Sequence, residues 1–181
     1  SKNKVSLKSS IFYMHRDDPQ LRLFIQNNPK PVYFDYATFN GSTSYTYGFE
    51  SNISYELSHI FTFNSSLNLL KNHLGVFYFD EDGDGTNETF GDRSGSHSPK
   101  LSFSSGIKIK IKPEISLNLD ANYKDEFYFD EQNDHKSTSY TLLNTSLIFS
   151  KNKLSLSIWG KNITNEKYAI RGYSFVLTPK T

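Results

Sequence analysis

Residues 101–112 read Leu-Ser-Phe-Ser-Ser-Gly-Ile-Lys-Ile-Lys-Ile-Lys. The alternation sends Leu101, Phe103, Ile107, Ile109 and Ile111 to one face and Ser102, Ser104, Lys108, Lys110 and Lys112 to the other. Period two marks a β-strand whose faces meet different solvents. The pattern returns along the chain. Residues 4–14 set Val5, Leu7, Ile11 and Tyr13 against Lys4, Ser6, Lys8 and Ser10. Residues 43–57 set Tyr45, Tyr47, Phe49, Ile53, Tyr55 and Leu57 against Ser44, Thr46, Glu50, Asn52, Ser54 and Glu56. Residues 61–70, 115–124, 140–149 and 154–162 read as four more strands. Between strands, long polar connections take turns with short ones such as Lys112-Pro113-Glu114 and Ser150-Lys151-Asn152-Lys153. Regular long-short asymmetry belongs to an antiparallel up-and-down barrel that crosses a membrane.

Composition is compatible with this reading even though it is polar. With 36% hydrophobic residues and a mean hydropathy of -0.57, no apolar run approaches the ~20 residues a spanning helix needs. A membrane strand needs only every second residue apolar, so its hydropathy signal is weak. Fifteen Phe and 12 Tyr against one Trp and one Met suit sheets and interfacial girdles. Several strands run near the roughly 9–11 residues of a tilted membrane strand. A net charge of +1 gives no reason to expect nucleic acid as a partner. Zero cysteines exclude disulfides and thiol catalysis. Glu50, Glu56, Asp120, Lys108 and Lys110 are costly toward lipid, where a midplane Lys or Arg costs roughly 2–4 kcal/mol, so the polar face turns to a lumen. About seven strands would leave two unpaired edges in lipid, which the membrane does not tolerate. Further strands or other chains must complete the wall.

Residues 157–173, Ser-Ile-Trp-Gly-Lys-Asn-Ile-Thr-Asn-Glu-Lys-Tyr-Ala-Ile-Arg-Gly-Tyr, resemble the C-terminal barrel region of TonB-dependent outer-membrane receptors. Tyr47-Gly48-Phe49-Glu50, Ser98-Pro99-Lys100-Leu101 and Tyr140-Thr141-Leu142-Leu143-Asn144 resemble strand entries of that family, in the family's order. The resemblance implies that residues 1–181 form the C-terminal part of a barrel of about 22 strands, contributing about seven to eight of them. Leu177-Thr178-Pro179-Lys180-Thr181 then resembles the opening of the final strand. The final strand itself, the plug domain and the TonB-contacting segment are expected outside this sequence. The implied function is uptake of a ferric siderophore, cobalamin or another bulky ligand across a Gram-negative outer membrane. Implied partners are outer-membrane lipid and lipopolysaccharide, the rest of the barrel, the plug, TonB through that plug, and an iron chelate or similar ligand. No enzymatic activity is expected. Two other readings stay open: a structural or adhesive barrel without active transport, and a secreted β-rich binding module.

Candidate sites lie in the long connections. Asp80-Glu81-Asp82-Gly83-Asp84-Gly85-Thr86-Asn87-Glu88 begins like a calcium loop, with Asp80, Asp82 and Asp84 at positions one, three and five and Gly85 at six. Position twelve falls on Gly91, where such a loop requires a bidentate Glu. Divalent-ion binding and a solvated acidic loop therefore both stand, and no other cofactor is expected. His15, His59, His73, His97 and His135 never fall at metal-ligand spacing, but His97 and His135 sit where they can meet a chelate. Tyr33, Phe34, Tyr36, Phe127, Tyr128 and Phe129 have two readings, ligand contacts at the mouth or an aromatic girdle. Tyr33, Tyr36, His97, Tyr128 and His135 are the ligand-contact candidates. Six Asn-x-Ser/Thr sequons, including those at Asn144 and Asn162, read as strand and turn chemistry. Leu21-Arg22-Leu23-Phe24-Ile25 reads as renewed extension, and the segment around Asn27-Asn28-Pro29-Lys30-Pro31 and Asn40-Gly41-Ser42, residues 26–42, reads as a loop.

Overall fold

The computed structural model describes residues 4–29 and 32–172. Its strands are β1 (Lys4–Arg16), β2 (Gln20–Pro29), β3 (Val32–Asn40), β4 (Ser44–Glu56), β5 (Phe61–Leu74) and β6 (Phe77–Phe79). They continue with β7 (Glu88–Phe90), β8 (Leu101–Lys112), β9 (Ile115–Lys124), β10 (Tyr140–Lys151) and β11 (Leu154–Gly160). Seven of them make one antiparallel sheet in the order β1-β4-β5-β8-β9-β10-β11. Each alternating segment of the sequence is one of these strands. Within this sheet each strand pairs with the next of its members in chain order, across short turns and long connections alike.

Register turns the alternation of single strands into faces of a wall. Val5, Tyr55, Phe63, Ile107 and Leu119 form one cross-strand row. Phe61, Ile109, Leu117, Leu147 and Ile158 form another on the same side. The opposite side carries Lys8, Asn52, Ser66, Ser104 and Asn122, and beside that row Ser6, Ser54, Asn64, Gly106, Asp120 and Asn144. A slip of one residue would exchange the two sets, so the contrast between solvents holds the register.

The first long connection departs from expectation. Residues 26–42 were expected to be loop; instead β2 and β3 pair along their length from Gln20↔Asn40 to Pro29↔Val32, with an irregularity between Gln26 and Asn28. Prolines and asparagines bias a segment toward turns, but Leu21, Leu23, Ile25, Ala37 and Phe39 find a shared apolar neighbour that no local pattern displays. β6 and β7 supply it. Leu21, Leu23, Leu74, Phe77 and Phe79 form a buried cluster, with Ile25, Ala37, Phe39 and Phe90 packed against it. The Phe39 ring lies 6.0 Å from Phe77 and 5.8 Å from Phe79. The acidic connection likewise contains β7, and β5 runs regularly to Leu74, past the clean alternation that the sequence shows to about residue 70.

This cluster sits where the long connections gather. The apolar face of the wall, in contrast, remains exposed: Ile11 is 84% accessible, Leu7 64% and Ile158 76%. Exposed apolar area of this extent is unstable in water. It matches a chain whose outer solvent is hydrocarbon.

Candidate functional site

Curvature decides which face is enclosed. Lys8, Asn52, Lys108, Asp120, Asn122 and Lys161 all line a concavity of about 890 Å³, so the polar side is the inner one. Side chains on this face bond across strands: Asn118 Nδ2 donates to Ser146 Oγ at 2.9 Å. Gly106 leaves room for its register partner; a Cβ there would stand 2.5 Å from Asp120 Oδ1. This surface can hydrate a channel or dock a polar body.

At the rim, the long connections are tied into one assembly. The turn at residues 130–133 is built by Asp130 Oδ1, which accepts from the amides of Gln132 at 2.9 Å and Asn133 at 2.6 Å. Gln132 is thereby held against β2, accepting from Phe24 N at 2.8 Å and donating to Phe24 O at 3.0 Å. Its Nε2 also donates to Glu81 Oε1 at 3.1 Å, adding the acidic connection. Arg93 donates to the Asp134 carboxylate and the Asp130 carbonyl, and its guanidinium lies 4.2 Å from the centre of the Tyr128 ring. Glu131 accepts from both the amide and the hydroxyl of Ser96. Lys136 donates to Glu126 at 2.9 Å. That bond holds the Glu126 carboxyl below its ordinary pKa and the Lys136 ammonium above its own.

The expected ligand contacts divide between two parts of this rim. His97, Tyr128 and His135 lie in neighbouring backbone: His97 N donates to Tyr128 O at 2.9 Å, and Phe129 N, next to Tyr128, donates to His135 O at 3.1 Å. Tyr36 stands on the β2–β3 hairpin, 53% accessible, with Phe24 edge-on at 6.0 Å and the Arg22 guanidinium 4.3 Å above its ring. Gln132 on the Phe24 backbone connects the two parts. Tyr33 and Phe34 belong to β3, but their side chains lie outside the described residues. Phe127 faces neither mouth nor lipid; it is buried beside His97 and Phe129. Arg93 and Gln132 were not legible as site residues, since their partners are distant in sequence and neither lies in a motif. Among the described residues the five histidines do not form a metal cluster.

Asp80, Asp82 and Asp84 do converge, with ligand oxygens within 4.8 Å of one another. Their geometry is that of a self-capped turn. Asp80 accepts from Gly83 N at 2.7 Å and Gly85 N at 2.9 Å, while Asp84 accepts from Thr86 N at 2.7 Å. Glu88 caps Glu81 N at 3.0 Å. Gly83 and Gly85 hold the left-handed backbone that the turn needs, at φ 74° and 90°.

No curated protein sequence matches this chain. Its fold is similar to that of the siderophore receptor PiuA from Acinetobacter baumannii, with a TM-score of 0.67 and 19% identity. The likeness covers 91% of this chain and 22% of that one, so the chain spans about a fifth of the receptor it matches. The family model described as TonB dependent receptor-like, beta-barrel matches residues 1–163. With strand order, register and polar concavity agreeing, the chain belongs to the TonB dependent receptor-like β-barrel family.

Proposed function

We propose that the chain is a wall segment of an outer-membrane receptor that takes up a ferric siderophore, cobalamin or a similarly bulky ligand. One observation carries the reading: the sheet is apolar and exposed on its convex side and polar on its concave side. A water-soluble sheet of this size would cover its apolar face. Family membership and the likeness to a siderophore receptor support receptor function. The outer edges of β1 and β11 carry no strand among the described residues, and in lipid such edges require partners. Further barrel strands would supply them, a plug would sit against the polar concavity, and TonB would act through that plug. The rim of long connections would face the exterior, with Tyr36, His97, Tyr128 and His135 toward the ligand.

The test is uptake by the full-length protein in an iron-limited Gram-negative strain lacking its own copy. Growth rescue by one member of a panel of ferric chelates, or cobalamin uptake, is expected only while the membrane is energised. Correct insertion with no uptake of any of these ligands overturns the proposal in favour of a structural or adhesive barrel.

A further inference from the structure

The long connections at the rim are held in two different ways. The first part is apolar: Leu21 and Leu23 of the β2–β3 hairpin share one buried cluster with Phe77 and Phe79 of β6. The second part is polar, made of residues 91–98 and 125–137. Arg93 donates to the Asp134 carboxylate and the Asp130 carbonyl, Ser96 donates to Glu131, and the His97 amide donates to the Tyr128 carbonyl. Phe127 N bonds Ser137 Oγ and Ser137 N bonds Phe127 O, closing that connection on itself. Burial shapes the first part and directional bonds the second, so each keeps its form by its own means.

Gln132 belongs to the second part and bonds to the first. Its carboxamide accepts from Phe24 N at 2.8 Å, donates to Phe24 O at 3.0 Å, and donates again to Glu81 Oε1 at 3.1 Å. A carboxamide alone among side chains offers a carbonyl acceptor together with two N–H donors in one plane. The two bonds to Phe24 repeat what a neighbouring strand would make to the backbone of β2. Phe24, Glu81 and Gln132 are all half-buried, so water replaces each partner when a bond opens. Three bonds from one side chain, each replaceable by water, make a closure that is firm and reversible.

We propose that Gln132 is the latch of a two-part rim. While its bonds hold, the β2–β3 hairpin and the 125–137 connection move as one body; when they open, the hairpin moves with β6 and β7, and Tyr36 parts from Tyr128 and His135. The test places spin labels at Thr38→Cys and Thr138→Cys in the otherwise cysteine-free full-length protein, in detergent, and reads their separation by double electron–electron resonance. The parent should give one narrow distance distribution. Gln132→Ala should add a longer, broader population and raise hydrogen exchange at the Phe24 amide roughly tenfold, with exchange in β8 and β9 unchanged. Gln132→Glu loses both donors and sets a second carboxylate beside Glu81, so it should open the rim further. Lys153→Gln, at the opposite end of the wall, should match the parent. A parent-like distribution in Gln132→Ala overturns the latch, and so does faster exchange confined to residues 130–133, which would mark a loosened turn within one part. If Gln132→Ala does not fold, Gln132→Glu decides by the same distances.

Discussion

Ile107 and Lys108 are adjacent in sequence and belong to different solvents, each set by one step of the β8 pleat. Ile107 lies near the middle of the strand, so Ile107→Lys should cost roughly 2–4 kcal/mol in guanidinium unfolding from lipid vesicles. Lys108→Gln, on the concave face, should change the midpoint little; equal costs would overturn the assignment of faces. Asn162 shows the same economy of position at a turn. It sits at φ 48°, its amide donates to Asn144 Oδ1 at 3.0 Å, and its side chain exchanges bonds with Glu166 N and O. Asn162→Ala should lose about 1–2 kcal/mol of local order and speed tryptic cleavage at Lys167, while the sheet keeps its spectrum. The sequon at this position was legible as turn chemistry, because asparagine tolerates the left-handed region.

Strands and connections obey different rules. Long strands were legible from alternation because each one independently separates the same two solvents. β2 was legible only over residues 21–25 and β3 not at all, because their buried face exists only once β6 and β7 fold over it. The connection after β9 is held partly by charge, which makes it sensitive to pH. Glu126 has a depressed pKa, so its contribution is present above the ordinary glutamate range and is lost as pH falls through the lowered value. Lys136 has a raised pKa, so its contribution is present below the ordinary lysine range and is lost as pH rises through the raised value. Protection of the Phe129 and Ser137 amides, corrected for intrinsic exchange, should stay level from roughly pH 5 to 10 and fall outside those limits. Glu126→Gln should abolish the acid-side fall. In the 80–88 connection the carboxylates already cap their own backbone, and position twelve is Gly91. Calorimetry should therefore give the same heat with calcium for the parent and for Asp82→Ala/Asp84→Ala. A saturable heat lost in the variant would establish a cation site.

As a whole, the molecule inverts the usual order of stability. Its buried apolar cluster supports the connections, while the wall waits for solvent on one side and partner strands at both edges. The isolated chain should therefore aggregate on removal of detergent, as followed by light scattering. A monodisperse soluble chain would favour a secreted binding module over a membrane wall.

Sequence alone determined the seven strands of the main sheet, their neighbours and the residues that must share a face, because a period of two and the length of each connection are local quantities. Tertiary structure decided how β2 and β3 pack on β6, and how the long connections interlock through Gln132 and Arg93. Those outcomes depend on contacts between segments far apart in the chain, where hydrophobic burial and charge act through space and no periodicity records them.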